Sequence, residues 1–268
     1  MTVMETKSIF DSTPLAFTLL GDTKSEALRS RPMMVAAAHA VAMRGIGEGV
    51  AKGVRYAELD LRGTGASGQP SNRFDYSIQS YAQDILSVLD ANDQSSGHVL
   101  GYSNESDAAI QAALDAPERV VGLVLVEPAT LIDPSIKKER LALAESGRID
   151  EALRATFSFC DPTLNGEQLD AAVKMAMEFY HGNEENLVGE FRARASFNAT
   201  PDMLAEIKAP TLVVGGAKSP IRQEVVRVAK SIPGASYLRI PDAGHFMVGD
   251  GPQAYAAHAI NLFLEMHS

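Results

Sequence analysis

A single serine is the first residue in this chain whose setting suggests chemistry. In Val99-Leu100-Gly101-Tyr102-Ser103 a short apolar run ends at Ser103, and an alanine-rich helical pattern over 104–116 follows at once. Strand, tight turn and helix in that order make a nucleophile elbow. The turn lifts the hydroxyl above the end of a sheet, and the helix directs its positive end at charge developing there. Taken alone, Gly-x-Ser is weak evidence, and a serine that only caps a helix is the commoner reading. A second group, His245, lies in Pro241-Asp242-Ala243-Gly244-His245-Phe246, after the last strand-like run and before the last helical pattern. A loop in that place opens on the same sheet edge as Ser103. An imidazole with an ordinary pKa of about 6.5 is mostly neutral at neutral pH and can accept a hydroxyl proton. The plain alternative is a histidine that caps the final helix or stays solvated in its loop.

Such groups meet only if the elements between them alternate correctly. Apolar, β-branched runs predict strands over 14–20, 33–39, 55–61, 98–102, 120–127, 211–215 and 236–240. Between them, Ile78, Tyr81, Ile85, Val88 and Leu89 carry helical spacing over 77–91, and a last helix is expected over 252–266. Alternation of this kind predicts an α/β fold with a mostly parallel sheet covered by helices. One stretch interrupts it: 135–206 holds helical spacing (Ile149, Leu153, Phe157; Leu169, Val173, Met177) and no convincing strand. It is expected to be an inserted helical subdomain. Most of its large apolar side chains would form its own small core and the rest would line a pocket where it meets the sheet.

Composition narrows the partners. The 268 residues are 46% hydrophobic and 22% charged, ordinary values for a globular chain, with a net charge of −10. That balance argues against binding nucleic acid or anionic membranes and leaves a small molecule as the expected partner, with a homo-oligomer compatible. One cysteine, Cys160, excludes an intramolecular disulfide and any zinc site built on several thiolates. The N-terminus shows no basic segment followed by an apolar one, and no apolar run has the roughly 20 residues of a membrane span, so a cytoplasmic protein is expected.

Gly63-Thr-Gly65-Ala-Ser-Gly68 matches the spacing of a dinucleotide-binding fingerprint, but it leads into Gln69-Pro70-Ser71-Asn72, which is turn chemistry and not a helix start. Together with His39-Ala40 after an early strand and Asp60-Leu-Arg62-Gly-Thr-Gly65-Ala-Ser67, the elbow and the His245 loop make the sequence resemble the α/β-hydrolase family along almost its full length. The glycine run is then the turn after the fourth strand. The resemblance implies an eight-stranded, mostly parallel sheet with helices on both faces. It further implies a core at 1–133 and 208–268, a helical cap at 134–207, and acyl-type hydrolysis by serine, histidine and an acid with no cofactor and no metal. It also implies an oxyanion hole from the backbone N–H groups of Val41 and Asn104. A substrate pocket is expected around His39, Ala40, Tyr102 and Phe246, with Phe157 and Met177 contributed by the insert.

The chain departs from the family at several positions. Ser219 stands where the acid usually follows the seventh strand, and a serine cannot stabilise an imidazolium. Glu127, at the end of the sixth strand, is the expected replacement. Some family members place their acid there, and Ser103, Glu127, His245 keeps the family order. Asp133 is the next candidate, and Ser219 itself is expected to matter little. Ala40 replaces a usual glycine, and Glu105 and Ser106 replace small residues of the elbow, where an anion would oppose a developing oxyanion. The expected function is hydrolysis of an ester, thioester or lactone of a small, partly apolar molecule. Two alternatives stay open: a cofactor-free non-hydrolytic or carbon–carbon bond-cleaving reaction with His245 as base, and an inactive ligand-binding protein.

Overall fold

The computed structural model describes residues 2–21, 28, 31–37 and 40–267, with backbone alone for 2 and 40–44. Eight strands form one sheet: β1 (Thr2–Lys7), β2 (Pro14–Leu20), β3 (Met34–Ala37), β4 (Tyr56–Leu59), β5 (Gly97–Tyr102), β6 (Val120–Val126), β7 (Thr211–Gly216) and β8 (Ser236–Ile240). Their order is β1-β2-β4-β3-β5-β6-β7-β8, and every pairing from β4 to β8 is parallel, whereas β1 and β2 pair antiparallel. The helices are α1 (Ala40–Val50), α2 (Ile78–Ala91), α3 (Ser106–Asp115), α4 (Pro134–Glu145), α5 (Ile149–Cys160), α6 (Gly166–Phe179), α7 (Glu184–Ser196), α8 (Pro201–Ala205), α9 (Arg222–Ser231) and α10 (Asp250–Met266).

Both faces of the central strands are buried, so they read as continuous apolar runs, and the pleat divides their side chains between two cores. Val35, Val99, Leu123, Leu125 and Val213 pack with residues of α2, α3 and α9. Met34, Leu100, Val124, Val126 and Val214 pack with Ile46 and Val50 of α1 and Ile260 and Phe263 of α10. Helices α4 to α8 all fall between β6 and β7, and α4 to α7 enclose a third, separate cluster around Ile149, Leu153, Val173, Leu187 and Phe191. Strand β1 has no counterpart among the strands expected from sequence. Its six residues alternate weakly and gain their place from pairing with β2, a long-range contact that local pattern does not show. Among the described residues no helix is long and apolar enough to cross a membrane.

Register brings the functional elements to one edge. Tyr102 pairs with Val126, Val126 with Val214, and Gly216 with Ile240, so β5 to β8 end side by side. The turn that follows β4 is fixed from inside. Arg62 is fully buried and its guanidinium donates to both carboxylate oxygens of Asp84 on α2 at 2.8 and 2.6 Å, to Asp11 at 2.8 Å, to Ser8 Oγ at 3.0 Å and to the Asp75 carbonyl at 3.1 Å. A buried cation with this many acceptors is satisfied only while the set stays whole. Asp84→Ala, which leaves Arg62 without its bidentate partner, is expected to lower unfolding stability by about 3–5 kcal/mol, measured as a shift of the urea midpoint at unchanged slope.

Candidate active site

Strand β5 ends at Tyr102, and the chain turns at Ser103 with φ of +54° before a 3-10 turn (Ser103–Glu105) leads into α3. A positive φ at a side-chain-bearing residue carries a cost, and it aims the hydroxyl off the strand end. Glycine at 101 is obligatory, because a Cβ there would lie 2.6 Å from Cα of Ser106 and 2.8 Å from Cβ of Ala109. Ser106 is itself fully buried in this contact, so a small residue is kept where the helix crosses the strand. Glu105 meets that crossing only with its carbonyl oxygen, 2.9 Å from where a Cβ on Gly101 would lie, and its side chain reaches Arg194 on α7 instead.

His245 sits in the loop after β8, buried, with its carbonyl held by the hydroxyl of Tyr102 at 2.8 Å and its ring edge-on to Phe246. Its Nε2 lies 2.8 Å from Ser103 Oγ, and its Nδ1 lies 3.0 Å from Glu127 Oε2. Glu127 follows β6 directly, in a left-handed conformation (φ +51°), with no exposed surface. Besides the imidazole, its Oε1 accepts from the Gly216 N–H at 2.5 Å and its Oε2 from the Ser219 hydroxyl at 2.5 Å. Gly216 also needs its missing side chain, because a Cβ would stand 2.4 Å from the Ala243 carbonyl oxygen.

In front of Ser103 opens a cavity of about 440 Å³. Its wall is mostly apolar and comes largely from the helices between β6 and β7, with Leu153, Phe157, Met175, Phe179 and Phe191 among the lining residues. Tyr102, Asn104 and Phe246 line it from the sheet side. Among the described residues no group of three or more His, Cys, Asp and Glu is placed to hold a metal ion.

Comparison with known proteins agrees with this architecture. A family model described as alpha/beta hydrolase fold matches residues 36–184, more than half of the chain. The chain belongs to the alpha/beta hydrolase fold family. It is 27% identical over 215 residues to the provisionally named carbamate hydrolase RutD of Caulobacter sp. (strain K31), covering 75% of this chain and 78% of that protein. A hydrolase from Pseudomonas aeruginosa PA01 is 25% identical with a TM-score of 0.78, and 98% of each chain is covered. The enol-lactonase from Burkholderia xenovorans LB400, at 19% identity, has the same fold with a TM-score of 0.80 over 98% of this chain and 100% of that one.

Within this hydrolase fold the sequence expectations fare unevenly. Ser103, His245 and Glu127 come together at hydrogen-bonding distance. Asp133 does not reach them. It is the exposed N-cap of α4, accepts from the Ser135 N–H at 2.8 Å, and that bond holds its carboxyl below the ordinary value. Met177 is not among the residues that line the cavity: it packs on the insert's own core, as Ala176 and Phe179 also do, but those two and Met175 reach the cavity wall. Helical spacing places these residues on α6 but does not say which face meets the sheet. His39 lies outside the described residues, and Ala40 and Val41 are described by backbone alone, as the first positions of α1. Ser219, expected from sequence to matter little, is fully buried and donates to Glu127.

Sequence reasoning also passed over Cys160, at the end of α5, which lines the cavity beside His245. Burial by itself lowers the pKa of His245, but the Cys160 side chain and then Glu127 act in the opposite sense, and the net shift is upward. Only neutral imidazole accepts a proton, so a reaction that uses His245 as base gains rate with rising pH, its acid limb above about 6.5. Cys160→Ala, which removes one of the two groups that favour imidazolium, is expected to move that limb to lower pH in a kcat/KM profile. Ser219→Ala, which removes a donor from Glu127, is expected to lower kcat by about tenfold with little change in KM, seen in the same assays.

Proposed function

We propose that Ser103, His245 and Glu127 act as nucleophile, base and acid in the hydrolysis of an ester, thioester or lactone of a small, partly apolar molecule through an acyl-enzyme. The observation that carries this reading is the unbroken chain from Ser103 Oγ to His245 Nε2 at 2.8 Å and from Nδ1 to Glu127 Oε2 at 3.0 Å, opening on an apolar cavity. With Glu127 accepting at Nδ1, the imidazole proton stays on that nitrogen and Nε2 is left to accept. Ser103 Oγ attacks the carbonyl carbon while its proton passes to Nε2, and Glu127 stabilises the imidazolium. The oxyanion is received by the Asn104 N–H, with the Val41 N–H as the second donor in this reading. His245 then protonates the leaving group, and a water deprotonated by the same Nε2 attacks the acyl carbon and frees Ser103.

The helices at 134–207 serve as a cap in this account, since they supply most of the wall against which an acyl chain or ring would pack. A cavity of this kind suits an uncharged organic substrate and disfavours a polymer. Carbamates belong in the same substrate panel, because the related RutD protein bears that name and the electrophile is again a carbonyl carbon.

A fluorophosphonate probe is expected to label Ser103 in the wild type and to label nothing in Ser103→Ala. Glu127→Gln should keep the fold and lower kcat on an active ester by about 10³–10⁴-fold. Turnover that survives Ser103→Ala but is lost in His245→Ala would instead assign His245 as base in a reaction without an acyl-enzyme.

A further inference from the structure

The elbow carries a charge that the triad does not use. Glu105 stands two residues beyond Ser103, buried, and Arg194 Nη2 on α7 pairs with it at 2.9 Å. Arg194 also pairs with Glu190 one turn earlier on the same helix, and Glu190 accepts from the Tyr81 hydroxyl at 3.1 Å. The three side chains are only 3–12% exposed, and all three line the cavity that holds Ser103. Burial disfavours the guanidinium cation, but Glu190 and Glu105 together outweigh it, so Arg194 stays charged.

Stability alone does not account for such a cluster, because buried ion pairs are often no better than apolar residues of the same volume. Its position gives the other reason. Glu105 lies in the first turn leading into α3, whose positive end faces the oxyanion that forms when Ser103 attacks. A lone carboxylate there cancels that field and repels the oxyanion, and in a water-poor cavity the repulsion is weakly screened. We propose that Arg194 is a positioning residue for the reaction: α7 delivers it from the helices over the site to pair with Glu105, so that a cation offsets the elbow carboxylate beside Ser103 when α7 is seated. This rests on Ser103 being the nucleophile.

A second buried pair, Lys137 of α4 to Asp107 of α3 at 3.0 Å, also ties these helices to the elbow helix, but it does not line the cavity. It is the control for a role that is merely structural. The experiment measures fluorophosphonate labelling of Ser103 together with kcat and KM on a short-chain p-nitrophenyl ester. The variants are Arg194→Met, Arg194→Lys, Glu105→Gln, Glu105→Gln/Arg194→Met and Lys137→Met, each checked for folding by circular dichroism. Arg194→Met should slow labelling and kcat by about tenfold or more with KM nearly unchanged, and Arg194→Lys should recover most of the loss. In the Glu105→Gln background the Arg194→Met change should cost less than about threefold, and Lys137→Met should cost no more than that in the wild type. Should Arg194→Met fail to fold, the comparison of Glu105→Gln with the double variant decides alone: a loss of about tenfold between them overturns the proposal. Wild-type rates in folded Arg194→Met, or a loss confined to KM, overturn it too. A wild type that the probe does not label at Ser103 removes the serine reading and this inference with it, whereas a labelled wild type with an indifferent Arg194→Met removes the inference alone.

Discussion

A buried carboxylate must be surrounded by donors, and in this molecule that requirement governs where the strands end. Glu127 has no solvent, so the Gly216 N–H, the Ser219 hydroxyl and the His245 ring together satisfy it. Those three donors come from the end of β7, the turn after it and the loop after β8. They reach one carboxylate only because β6, β7 and β8 are parallel neighbours in register at that edge. Two strained or crowded positions follow from the same demand. Glu127 adopts a left-handed backbone to turn its side chain back across β7, and Gly216 lacks a Cβ so that the 243–244 segment can lie against it.

Much of this was legible in the residues. The apolar runs of β3 to β7 are largely buried on both faces, so hydrophobicity alone marks them, and Ser103 stands out because it follows such a run directly, whereas His245 lies in the loop after the more exposed β8. Alternation located the helices between β6 and β7 as a block. What stayed hidden depended on long-range pairing or on which face of a helix is turned inward. Strand β1 is set by β2, Met177 and Met175 differ only in the face of α6 they occupy, and Cys160 comes beside His245 across more than eighty residues of chain. Ser219 is instructive. In sequence it reads only as a position without an acid, yet its hydroxyl donates to the Glu127 carboxylate, so positions 127 and 219 form a single arrangement.

Glu105 shows the same logic on the other side of Ser103. Its bulk does not disturb the approach of helix and strand, because Gly101 and Ser106 make that contact and Glu105 points to α7. Its charge is met by the Arg194 guanidinium, which arrives from the inserted helices. An ion pair therefore joins the elbow to the insert. The same insert walls the cavity, so the surface that would select a substrate also carries the cation paired with Glu105. A change in how α7 sits would alter pocket shape and the field at Ser103 at once, which couples substrate fit to the reactivity of the hydroxyl through one helix.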